Sequence, residues 1–155
     1  MRILATLAVL ALAACATPAP ENSAELSALQ NAHLRSCPAE RTQANAQTAG
    51  FGERSGVEVT DLAIVPSADD PTRAVRLRRI MIQPGGIIPW HDHTDVQGAA
   101  VLLSGEATEL RNTCLDPMVY SAGDMALEDA ATAHSWRNDG TEPVVVLVAH
   151  VVRVN

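Results

Sequence analysis

His91-Asp92-His93 sets two imidazoles two residues apart. In a strand, residues i and i+2 point to the same face, so the pair can grip one metal ion. A third histidine, His134, follows in another stretch that reads as a strand. A return of the chain could lay it beside the first two. Three imidazoles carry no negative charge, so a divalent ion on them keeps its full charge and leaves coordination positions open. Such a centre favours an anionic, chelating ligand. The residue types do not choose among Fe, Mn, Ni, Cu and Zn.

Other side chains could serve this centre. Val75, Leu77, Arg79 and Met81 share one parity. If the apolar members face the core, Arg79 does too, and a buried Arg needs a partner such as a substrate carboxylate. A strand edge or bulge would instead turn Arg79 out with Arg76 and Arg78. Trp136 shares parity with His134 and is expected either to wall a pocket or to belong to the core. Asp92 has the opposite parity to the two histidines beside it. Asp95, in the turn after them, could bend back as a ligand. Glu106, Glu109 and Glu128 read as solvated charges, and His150 as a satisfied structural histidine in the last strand. Ser135 adjoins His134, but neighbours in a strand point apart, so no Ser-His-Asp arrangement is visible.

Composition narrows the field. The chain has 155 residues, enough for one domain with a core. All 11 basic residues are Arg, which removes lysine Schiff-base and P-loop chemistry. A net charge of −7 argues against a nucleic-acid binder and against electrostatic docking on anionic lipid.

These residues must be positioned by strands. Residues 57–62 alternate as a strand does, and further strands are expected at 74–82, 99–104, 107–112, 117–120, 125–127, 134–138 and 143–154. Gly85-Gly86, Ser104-Gly105, Ala122-Gly123-Asp124 and Asn138-Asp139-Gly140 punctuate them as turns. Many short strands without intervening helices read as an antiparallel sandwich or barrel. Ahead of them, Ser23 can cap a short helix containing Leu26 and Leu29, with Pro38 interrupting.

The chain start carries a different signal. Met1-Arg2 and the apolar run from Ile3 to Ala13 fit an export signal, too short to span a bilayer. Leu12-Ala13-Ala14-Cys15 resembles the lipobox of bacterial lipoproteins, which implies cleavage before Cys15 and lipidation of that residue. Ala16 after the Cys implies the outer membrane, facing the periplasm, in a double-membraned host. The expected layout is a signal over 1–14, a lipid-anchored linker and helical segment over 15–55, and a β-barrel over 56–155. In an exported chain, Cys37 and Cys114 form an even pair that can close a disulfide, or remain two free thiols. They fit no zinc spacing.

The two histidine regions resemble the cupin superfamily. Its first motif runs Gly, five residues, His-x-His, then Glu and Gly; here Gly85, Gly86 to Trp90, His91-Asp92-His93 and Gly105 take those places. Its second motif is met by Gly123, then five residues, Asp129-Ala130-Ala131, His134 and Asn138. Gly98 stands where the family carries its metal-binding Glu, with Gln97 as the neighbouring replacement. Asp129 and Ala131 replace a Pro and a Gly. The resemblance implies an all-β, RmlC-like jelly-roll barrel. It implies one divalent metal ion on His91, His93 and His134, with Gln97 as fourth ligand. It also implies a small-molecule ligand, a homodimer paired through strands, and dioxygenase-like, isomerase-like or decarboxylase chemistry. The alternative is a non-catalytic binding module or structural envelope lipoprotein.

Overall fold

The computed structural model describes residues 23–154. The export signal, Cys15 and the linker through residue 22 lie outside the described residues. A short helix α1 (Ser23–Gln30) and a two-residue strand β1 (His33–Leu34) precede a 3-10 turn at Ala39–Arg41. Then come β2 (Ser55–Pro66), β3 (Arg73–Asp92), β4 (Gln97–Ser104), β5 (Glu106–Arg111), β6 (Met118–Ser121), β7 (Asp124–Glu128), β8 (Ala133–Arg137) and β9 (Val144–Arg153). They form one curled sheet in the order β1-β7-β4-β9-β3-β8-β5-β6, with β2 on β3. The all-β expectation holds. Ile82, Leu102, Tyr120 and Val144 are fully buried between its walls. With few aromatics to fill space, the Tyr120 and Trp136 rings pack edge to face at 4.7 Å, inside a lining of Val, Ile, Leu and Ala.

Gly85-Gly86 is a kink inside β3 and not the turn expected from its sequence. The first half of β3 pairs with β2 and β9, and the second half with β8. Gly85 has φ +73°, a backbone that costs glycine little. Asn138 clamps the bend: its buried amide donates to the Ile82 carbonyl at 2.9 Å and to the Glu142 carbonyl at 2.8 Å. The kink carries β3 from one wall to the other, so His91 faces His134 in register.

β2 is a twelve-residue strand that, among the described residues, pairs with β3 alone, and Leu62, Ile64 and Val65 are exposed on it. The segment ahead of β2 is tied to the barrel. β1 pairs with β7, Arg41 makes a two-point ion pair with Asp116, and a disulfide joins Cys37 to the fully buried Cys114 with Cα atoms 5.7 Å apart. The bond closes a loop with a sequence separation of 77 residues. Chain entropy gives such a closure roughly 4 kcal/mol. The Cys37→Ala/Cys114→Ala double variant is therefore expected to unfold at a markedly lower urea concentration. The denatured, unreduced wild type should show no reactive thiol at either position; two reactive thiols there contradict the bond.

Candidate metal centre

β3 and β8 lie side by side, and their register sets His91 opposite His134. His93 follows the end of β3 and is anchored by its backbone N–H to the Thr132 carbonyl at 3.0 Å. The three rings meet inside the barrel. Nε2 of His134 lies 2.9 Å from Nε2 of His93 and 3.1 Å from Nε2 of His91. Two nitrogens about 2.1 Å from a shared ion, at right angles, stand about 3.0 Å apart.

The outer nitrogens fix the tautomers. Nδ1 of His91 donates to the Pro89 carbonyl at 2.9 Å, and Nδ1 of His93 to the Val96 carbonyl at 2.8 Å. A carbonyl only accepts, so both Nδ1 atoms carry the proton. Nδ1 of His134 faces Glu109 Oε1 at 2.6 Å. In the neutral rings, all three Nε2 lone pairs then point at one another. A cation among them removes that repulsion, and partners of this kind on the far nitrogen are what orient metal-binding histidines.

Glu109 and Glu128 are not solvated, contrary to their appearance in sequence. Glu109 is fully enclosed. It is held by Arg111 at 2.9 Å and by the Tyr120 hydroxyl at 2.8 Å, besides His134. Burial opposes its charge, yet the His134 hydrogen bond and the Arg111 guanidinium bring its pKa below the usual range. Burial and the Glu109 charge push the Tyr120 hydroxyl up. Glu128, from the end of β7, puts Oε1 at 3.6 Å from His134 Nε2 and 3.9 Å from His93 Nε2. Its Oε2 accepts from His150 Nε2 at 2.5 Å. Arg78 donates to His150 Nδ1 at 3.3 Å, which leaves the His150 proton on Nε2. Burial works against the Glu128 charge, but His150 and the neighbouring histidines lower its pKa on balance. The cluster thus has a carboxylate, and it comes from β7.

The remaining candidates fall elsewhere. Gln97 is outside the cavity wall, and its amide donates to the Thr94 carbonyl at 2.8 Å in an exposed turn. Gly98 lies between Glu128 on β7 and His150 on β9. A Cβ there would collide with the Ala149 carbonyl and press on the His150 ring. Arg79 points outward to Glu25 of α1, with 3.6 Å between the charged atoms. The inward parity of β3 is that of Arg78, Ile80 and Ile82. The unbroken Ile80-Met81-Ile82 run hides this in sequence, because it is apolar on both faces. Asp95 is exposed and near Arg153, and Asp92 caps the turn at Thr94. Trp136 is both buried core and part of the cavity wall.

Burial also lowers the His91 pKa to about 4, with the His134 charge adding to it, and lowers His93 as well. Without metal, the unfolded chain takes up protons near pH 6.5 that folded His91 refuses until about pH 4. Stability of the chelator-treated protein is expected to fall across that window as pH drops, by about 3 kcal/mol from His91 alone. Urea midpoints measured at intervals from neutral pH to about pH 4 read this effect. A flat midpoint contradicts it.

Comparison with known proteins bears on the fold that carries these residues. Residues 78–150 match the model of the Cupin domain family. A predicted oxalate decarboxylase from Thermotoga maritima aligns with a TM-score of 0.51 at 21% identity, over 73% of this chain and 98% of that one. The formate complex of Lactobacillus farciminis oxalate decarboxylase gives a TM-score of 0.51 at 21% identity, over 66% of this chain and 31% of that one. The Schizosaccharomyces pombe Cnp3 cupin domain gives 0.50 at 14% identity, over 64% of this chain and 66% of that one. The chain therefore spans just under two-thirds of the yeast domain and under a third of the Lactobacillus enzyme. At these identities the likeness concerns the fold alone. Among curated proteins, none matches.

Proposed function

We propose, on the premise that residues 78–150 match the Cupin domain family and lie within a jelly-roll barrel, that the chain is a divalent-metal-dependent enzyme acting on a small anionic molecule. We place it outside the cytoplasm, tethered to the cell envelope by lipid on Cys15, with the barrel beginning near residue 56.

The observation behind the reading is the convergence of three imidazole Nε2 atoms on one point, with the Glu128 carboxylate alongside. His91, His93 and His134 would hold the ion, and Glu128 would complete the set. A bound ion would polarise a substrate oxygen as a Lewis acid, which serves dioxygenase-like and isomerase-like chemistry alike. The chain supplies the rest. Glu109 holds the His134 ring by its Nδ1 proton, and Arg111 and Tyr120 hold Glu109. His150 Nε2 donates its proton to Glu128 Oε2, which sets an acid–base pair at the cavity wall. Such a pair supports the isomerase-like form. Val, Ile, Leu and Trp side chains line the cavity beside the cluster.

Full-length protein recovered from the membrane fraction of its host, with no metal-affinity step, is expected to carry about one divalent ion per chain by elemental analysis. Protein found only in the soluble fraction overturns the anchor. An ion content far below stoichiometry overturns the metal reading.

A further inference from the structure

The cavity beside the cluster, about 280 Å³, has two unlike kinds of lining. One is polar: His91, His93, His150, Glu128 and Arg78. The other is apolar and includes Ile82, Leu102, Trp136 and Val146. Arg78 is the unexplained group. Its Nη2 reaches His150, but its buried Nε has no hydrogen-bond partner. Among the described residues, no carboxylate forms an ion pair with it. A buried donor left unpaired is costly, and the Nε–Nη edge of a guanidinium is shaped to take both oxygens of a carboxylate.

We propose that this cavity binds a monocarboxylate with a compact apolar body. The carboxylate lies on Arg78, and the body lies against Ile82, Leu102 and Trp136. The inference rests on the function proposed above and adds its substrate class. Charge favours a monoanion. Three neutral imidazoles alone would leave an ion its full charge and invite a chelating dianion. Glu128 already offsets part of that charge, and Arg78 adds one positive charge to be met. Size agrees: about 280 Å³ lies just below the range of pockets that take drug-sized ligands, which suits a compact body. Arg54 also borders the cavity, but it is exposed and donates to the Val57 carbonyl at 3.2 Å; the apolar wall has nothing to offer a second carboxylate, which would be desolvated there without a partner.

Calorimetric titration of the full chain with hexanoate, benzoate, hexanol and oxalate tests this, with and without chelator. Hexanoate and benzoate should bind the wild type at least about tenfold more tightly than hexanol or oxalate. Arg78→Met should lose roughly 10–100-fold toward hexanoate while its hexanol affinity stays unchanged. Arg78→Lys should recover part of the loss, which separates charge recognition from a packing defect. No hexanoate or benzoate binding at millimolar concentration, equal hexanoate binding by wild type and Arg78→Met, or a preference for oxalate overturns the proposal. If hexanoate binding depends on Arg78 but the wild type carries no metal, the substrate class stands and the metal reading falls. Stoichiometric metal with no dependence on Arg78 gives the reverse.

Discussion

His134→Ala is expected to strip the protein of its metal. His134 is the centre of the cluster, with its Nε2 within 3.1 Å of both neighbours, while His91 and His93 have only each other without it. Loss of a partner behind a ligand costs roughly 10–100-fold in affinity, and loss of the ligand itself must exceed that. The variant also leaves Glu109 enclosed with one partner fewer, so folding must be checked by the Cys37–Cys114 bond and by circular dichroism. Gln97→Ala is the matched control. Its amide is engaged with Thr94 in an exposed turn, so metal content should not change. Equal metal in wild type and His134→Ala, or loss in Gln97→Ala, would put the ion elsewhere.

Glu128→Gln is the second large effect. The substitution keeps the shape and removes the charge that faces the histidine nitrogens at 3.6 and 3.9 Å. Metal affinity should fall by roughly 10–100-fold. It also changes what His150 meets, because a glutamine can turn either its oxygen or its amide toward the ring. Competition titration with a chromophoric chelator measures the affinity of each form. An unchanged affinity would mean that Glu128 serves His150 alone and that the ion is held by histidines only.

Much of the barrel was legible in the residues because alternation and glycine punctuation act locally. Strands at 57–62, 99–104 and 125–127 fall inside β2, β4 and β7. The histidine cluster was legible too, since spacing on a strand fixes a face. What failed was the assignment of faces where both are apolar or both are mixed. Ile80-Met81-Ile82 gave no parity, so Arg79 was given a role that Arg78 is placed to fill. Glu109 and Glu128 looked like surface charges because strand alternation leads one to expect the apolar member inside. Around a polar centre that order inverts: exposed Leu127 is followed by buried Glu128. The usable signal was their shared parity with neighbours that face inward, Ala107 for Glu109 and Ala126 for Glu128.

The glycine at 98 has a consequence for how such a centre can change over generations. A glutamate at 98 and a glutamate at 128 are alternative ways of bringing one negative charge to the same histidines. Here the first is blocked by the Ala149 backbone and the His150 ring. A side chain there would require strand β9 to give way and residue 150 to shrink, in addition to the change at 98. Each change taken alone leaves a clash or a hole. The present arrangement is therefore a locked one: no single substitution at 98 moves the negative charge across the sheet.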